Sequence, residues 1–197
     1  MSTDILPVVG PVTHLTPPAS GRWSVAEYAQ LPDDGPRYEL MHGELRMAPA
    51  PNIGHQSTSG LIFYHLLTQV QLTGKGRVFA APLDVELSVE TLVQPDLVVV
   101  LNDGAASITE RRIVGPPDLV VEVASPSTAS YDRREKRDAY AAAGVREYWI
   151  VDPASRTVEL LTLEGAAYHA AHVYRGQAVL PSTVIAPWDV ATDRLFG

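Results

Sequence analysis

The chain has 197 residues, of which 46% are hydrophobic, enough apolar material for one domain with a sizeable core. With no cysteine, disulfides, thiolate zinc sites and cysteine nucleophiles are excluded. A net charge of −8 argues against a broad basic surface for nonspecific nucleic-acid binding, though not against a small basic groove on an acidic body.

Residues 1–20 hold four prolines and little periodicity. They read as an irregular N-terminal arm, and residues 21–197 as a single domain. Ser24 and Glu27 have the spacing of a capping box, which predicts a short helix ended by Pro32. Arg37–Ala48 reads as a β-hairpin turning at His42-Gly43. That register sets Tyr38 opposite Met47 and Leu40 opposite Leu45 on an apolar face, and Glu39 opposite Arg46 on the other. Taken alone, Glu39 reads as half of a solvated cross-strand pair.

His55 to about Leu72 has helical spacing and is stopped by Gly74 and Gly76. Arg77–Leu87 reads as a strand, Val93–Leu101 as another, and residues 102–117 as a loop. That loop is a candidate for substrate or partner contact, and equally an ordinary surface connection. Asp118–Ala124 is the next strand. A helix over Tyr131–Ala143 follows, with Gly144 as its C-terminal stop. Arg146–Asp152 and Thr157–Leu163 predict a hairpin, 168–174 and 178–180 short strands, and Trp188–Phe196 a final short helix. The expected fold is α/β (α+β), a central mixed sheet flanked by helices with additional β-hairpins. No apolar run approaches the ~20 residues that cross a bilayer. Met1–Pro7 lacks the basic start and apolar run of a secretory signal. A cytoplasmic protein with no membrane partner is expected.

Two acids stand where the strand pattern calls for core residues. Asp96 shares a face with Gln94 and Val98, and Glu122 shares one with Val120 and Ala124. Burying an unpaired carboxylate costs about several kcal/mol, so each needs a cation: an Arg, a Lys or a metal. Two acids converging from neighbouring strands make a hard-oxygen pocket suited to Mg²⁺. Lys136 lies four residues after Asp132 and four before Tyr140, so the three share a helix face. It reads either as the lysine that orients a water and stabilises charge on a phosphate, or as an ordinary helix ion pair. His55 reads as a contact to a ligand phosphate, or as a capping or core histidine. Glu147 reads as structural. A Gly-rich phosphate loop, a Gly-x-Ser-x-Gly elbow and a His-Glu-x-x-His pair are all missing. Ser125 and Ser127 have neither a base nor an orienting acid beside them.

The ordered set Tyr38-Glu39-Leu40 with Gly43-Glu44, His55, Gln94-Pro95-Asp96, Glu122–Ser127, Asp132 with Lys136 and Tyr140, and Gly144–Pro153 resembles the Uma two family of restriction-endonuclease-like proteins. That family lies within the PD-(D/E)XK nuclease superfamily. The likeness runs from about residue 24 to 190. It implies a restriction-endonuclease-like core and Mg²⁺-dependent (alternatively Mn²⁺-dependent) hydrolysis of DNA phosphodiester bonds. Asp96 matches the motif aspartate, Glu122 the motif acid and Glu39 the upstream glutamate, which reverses the solvated-pair reading of Glu39. Asp96, Glu122, and Glu39 or the Val123 backbone carbonyl would then hold the metal. Where the superfamily has a lysine two residues after the motif acid, this chain has Ala124, and Lys136 stands as the migrated replacement. The rival readings are a catalytically inactive nucleic-acid- or protein-binding module on the same fold, and a homodimer whose acids pair with Arg133, Arg134 or Arg137.

Overall fold

The computed structural model describes residues 15–31, 37–47, 50–124, 132–169 and 172–197. Most of the N-terminal arm, Pro32, Ser125, Ser127, Tyr131 and the side chains of Asp132 and Arg133 lie outside the described residues. The capping box at Ser24 forms as its spacing requires: Glu27 N donates to Ser24 Oγ and Ser24 N donates to Glu27 Oε2. It starts the short α1 (Val25–Tyr28). The hairpin β1 (Tyr38–Met41) and β2 (Glu44–Met47) adopts the predicted register, Tyr38↔Met47, Glu39↔Arg46 and Leu40↔Leu45. Its turn places His42 at φ 50° and Gly43 at φ 81°, the doubly left-handed turn that suits a two-residue hairpin.

Two segments that read as single strands are each divided by a proline. The first gives β3 (Gly76–Ala80) and β4 (Val85–Ser88), separated around Pro82. The second gives β5 (Thr91–Val93) and β6 (Leu97–Leu101), separated around Pro95. Proline cannot donate to a ladder, so an apolar run is interrupted there. In each case the two halves belong to different sheets. The chain leaves one sheet at Pro82 and returns to it at Pro95.

The architecture is the expected mixed α+β, with the strands gathered into two sheets. The small sheet runs β2-β1-β5-β4-β8-β7. Its last two strands, β7 (Ser107–Ile108) and β8 (Ile113–Val114), form a small hairpin inside the segment expected to be a loop. The large sheet runs β12-β11-β10-β9-β6-β3. It is built from β9 (Leu119–Val123), β10 (Glu147–Asp152), β11 (Thr157–Glu164) and β12 (Ala167–Tyr168), with β13 (His172–Tyr174) also pairing β11. β9 and β10 are parallel and β6 and β9 antiparallel, so this sheet is mixed.

Both faces of the large sheet are covered, which is why its central strands read as unbroken Val, Ile and Leu. Val99, Leu119, Val121, Val123, Trp149 and Val151 pack on one side with Ile62, Leu66 and the C-terminal Trp188 and Leu195. Val98, Val100, Val120 and Ile150 pack on the other with Tyr140 and with Met41, Val85 and Val93 of the small sheet. Helix α2 (Ile53–Leu66) starts two residues earlier than predicted because Asn52 Oδ1 caps the His55 N–H at 2.9 Å, and it continues as a π-turn over Leu67–Gln71. A π-turn over Asp132–Lys136 leads into α3 (Arg137–Ala143), which ends at Gly144 with φ 94°. The C-terminal segment forms only a 3₁₀ turn, Thr192–Leu195, and residues 178–180 contribute one isolated bridge at Val179.

Candidate active site

The β6–β9 ladder pairs Leu97 with Val121 and Val98 with Val120. One step further along the same antiparallel register, Asp96 stands opposite Glu122. Alternation puts both on the face of Val98 and Val120, the face toward α3 and the small sheet. The two strands are tied at that point by a charge-assisted bond, Val123 N–H to Asp96 Oδ2 at 2.7 Å. Asp96 Oδ2 also lies 3.0 Å from His55 Nε2, which the first turn of α2 brings in from the opposite side of the large sheet. The other ring nitrogen of His55 is 3.4 Å from Ser59 Oγ, one helical turn on.

Glu39 arrives from β1 of the small sheet and Lys136 from the turn before α3. The Lys136 ammonium lies 2.9 Å from Glu39 Oε1 and 2.8 Å from Glu122 Oε1. All three side chains are almost fully enclosed, with Glu39, Glu122 and Lys136 exposing 3%, 4% and 5% of their surface. Each carboxylate oxygen that meets the lysine has a second donor. Glu39 Oε1 accepts the Gln94 backbone N–H at 2.8 Å, and Glu122 Oε1 accepts the Tyr140 hydroxyl at 2.7 Å. Burial, and next the charge of Glu122, push the Tyr140 phenol far above its usual range, so it stays a donor. Lys136 and Tyr140 are i and i+4 on one helical face and meet the same carboxylate oxygen, as their spacing requires.

The expectations for these residues divide accordingly. Glu39, Glu122 and Lys136 meet directly, and Asp96 adjoins Glu122 through the Val123 peptide. The hairpin register that suggested a solvated Glu39–Arg46 pair is right, but its solvent-exposed face is not: Glu39 is buried, and Arg46 bridges to Glu135 at 2.9 Å and Glu44 at 3.3 Å. His55 both uses its backbone N–H in the Asn52 cap and turns its ring to Asp96. Arg137 pairs with its neighbour Asp138. Glu147 is structural, accepting from Trp149 Nε1 at 2.7 Å and Thr183 N at 2.9 Å. The buried Asp118 likewise accepts from Leu101 N and pairs with Arg146. Two residues near the centre were missed. Tyr140 was placed on the right helix face without a partner, although its i+4 spacing from Lys136 carried the signal. Asp84 gave no signal, because its partner Gln94 belongs to a loop whose path depends on both sheets.

Among the described residues, no three His, Asp or Glu side chains converge as a ready-made metal cage. Glu39 and Glu122 bring two hard-oxygen carboxylates to one positive charge, Lys136, and one or two carboxylates are the usual protein share of a Mg²⁺ site.

The fold has a solved counterpart. A structure described as a putative nuclease belonging to DUF820 from Anabaena variabilis superposes with a TM-score of 0.74 at 18% identity, over 88% of this chain and 97% of that chain. At that identity the likeness concerns the fold, which is of the restriction-endonuclease-like type. No curated protein matches the chain. The family model described as "Putative restriction endonuclease", Uma2, matches residues 25–193. Spanning both sheets and every residue of the buried cluster, that match makes the chain a member of the Uma2 family.

Proposed function

We propose that this protein is a divalent-metal-dependent endonuclease hydrolysing phosphodiester bonds in DNA. The observation that carries the reading is the convergence of Glu39 and Glu122, from different sheets, on one buried lysine. Isolated buried carboxylates are expensive, and two of them brought together beside a third acid support the reading of a cation site. Glu39 and Glu122, with Asp96 alongside and the Val123 carbonyl as a backbone donor, would hold Mg²⁺ or Mn²⁺. A bound divalent cation supplies Lewis acidity at the phosphate and a more acidic water.

The chain's own residues then have defined tasks. Lys136 stabilises the negative charge that develops on the phosphate, as a preorganised cation in a water-poor setting. Tyr140 fixes the Glu122 carboxylate, and the Gln94 amide fixes that of Glu39. His55 holds Asp96 through Nε2. Lys136 does from a helix what a lysine at position 124 would do from the strand. Such an enzyme would act on DNA in the cytoplasm, and a homodimer would present two centres to a duplex.

The second reading, a catalytically inactive nucleic-acid- or protein-binding module, is favoured by one observation: Lys136 already neutralises part of the charge on both glutamates. The two separate in one experiment. Mn²⁺ and Mg²⁺ are titrated into the protein by calorimetry, and plasmid and single-stranded DNA cleavage is followed for wild type, Asp96→Ala and Glu122→Ala. The nuclease reading expects metal binding and a loss of cleavage of about 100-fold or more in each variant. Undetectable binding, with cleavage indifferent to both substitutions, overturns it.

A further inference from the structure

The mechanism above uses the backbone N–H of Gln94 and leaves its side-chain network beside Glu39 unused. Asp84 lies just before β4, and its carboxylate Oδ1 accepts from Gln94 Nε2 at 2.8 Å. Gln94 is thereby held at both ends, since its backbone N–H donates to Glu39 Oε1 at 2.8 Å. Tyr28 completes the surround: its hydroxyl donates to the Tyr38 carbonyl at 3.0 Å, one residue before Glu39, and lies 3.5 Å from Asp84 Oδ1. Among the described residues Gln94 Oε1 is buried without a hydrogen-bond partner. The side-chain nitrogen of Gln94 faces an acceptor, which fixes the direction of the amide plane.

Gln94 occupies the crossing between the sheets. It follows β5 of the small sheet, and Pro95-Asp96 leads straight into β6 of the large one. The Gln94 backbone N–H meets Glu39, and two residues on, the chain reaches Asp96. We propose that Asp84 and Gln94 are positioning residues that hold Glu39 and Asp96 in the geometry for a divalent cation. Outer partners of this kind typically change metal affinity 10–100-fold without touching the metal. The inference rests on the metal-centre reading above.

The test is Mn²⁺ affinity by calorimetry, with the thermal midpoint of the metal-free protein recorded alongside. Asp84→Ala is expected to weaken Mn²⁺ binding about 10-fold or more. Asp84→Asn is expected to stay within about 3-fold of wild type, because its amide oxygen accepts the same bond from Gln94. Gln94→Met attacks the link from the other end while keeping the backbone N–H, and keeps the test open should Asp84→Ala fail to fold. Its loss and that of Asp84→Ala should not add in the double variant, the sign of a shared link. If Asp84→Ala and Gln94→Met lower the midpoint but bind Mn²⁺ like wild type, the pair is only structural and the inference fails. If Asp84→Asn is as damaging as Asp84→Ala, it also fails, since charge and not the bond to Gln94 would then matter. If wild type itself binds no Mn²⁺, the metal-centre reading fails first and takes the inference with it.

Discussion

At the scale of single residues, the centre is a problem of charge in a dry place. Among the described residues, Lys136 bridges Glu39 and Glu122. Replacing it with the similarly long, uncharged Met leaves two buried carboxylates facing each other. Breaking a buried pair from one side costs about 3–5 kcal/mol. Lys136→Met is therefore expected to lose that much stability by urea denaturation without metal, and to regain part of it when Mn²⁺ is added. A variant as stable as wild type without metal would mean that the lysine does not compensate the acids. Asp84 makes a second prediction, on pH. Desolvation raises its carboxyl above the usual aspartate range, with the bond from Gln94 pulling in the opposite direction. A carboxyl raised in the folded state holds its proton longer there than in the unfolded chain, so its ionisation works against folding. The penalty is absent below about pH 3.8, grows as pH rises through the folded-state value, and is constant above it. Asp84→Asn removes that ionisation. Its thermal midpoint relative to wild type is expected to climb over the same interval; a difference independent of pH would show that Asp84 ionises as it does in the unfolded chain.

At the scale of elements, legibility followed how local the cause was. The capping box, the β1–β2 register and the Gly144 stop were read correctly because each is decided within a few residues. The Pro82 and Pro95 interruptions were visible, but the consequence was not: an apolar run reads alike whether its halves share a sheet or part company. Glu39 could not be recognised as buried from its own strand, because the face it occupies is closed by Lys136 and α3 from far along the chain. The predicted C-terminal helix fails for a similar reason. Trp188, Val190, Leu195 and Phe196 pack on the large sheet as separate anchors and do not form one helical stripe. One strand position shows how tightly the elements meet. Gly76 pairs with Leu101, and a Cβ there would collide with the Val100 carbonyl oxygen and lie 2.8 Å from Leu101 Cα. Gly76→Ala is expected to destabilise by about 1–3 kcal/mol, the range for overpacking, measurable as a shift in the urea midpoint. No shift would mean that β3 can move away from β6 freely.

At the scale of the whole molecule, the proposed function requires a chain carrying −8 to approach a polyanion. Nonspecific duplex affinity is set mainly by phosphate contacts with basic side chains. An acidic body is expected at the weak end of that range, with Kd near about 10⁻⁴ M at physiological salt. Divalent metal should tighten binding by offsetting charge at Glu39 and Glu122. Fluorescence anisotropy of a labelled duplex with Mn²⁺ against EDTA tests this, and tighter binding in EDTA would count against DNA as the substrate. Among the described residues no helix is long and apolar enough to cross a membrane. The family and its fold were legible from the ordered motifs because those motifs record which residues converge. The two-sheet division that makes them converge was not.

That division bears on how the protein opens. The small sheet contributes Glu39 and the large sheet Glu122, and the described chain passes between them at Pro82 and Pro95 and again on either side of the β7–β8 hairpin. Cooperative opening of one unit need not await global unfolding. Were the small sheet to detach as a unit, Glu39 would leave Lys136 while the ladder from β3 to β11 stayed paired. Amide hydrogen exchange reads this directly. Protons of β1 and β5 are expected to exchange at a lower free energy than those of β9 and β10, and added Mn²⁺ should slow the first group selectively. On this view a bound metal would act as a clasp between two halves of the fold, and its occupancy would be recorded in the backbone of β5, a strand that supplies no ligand.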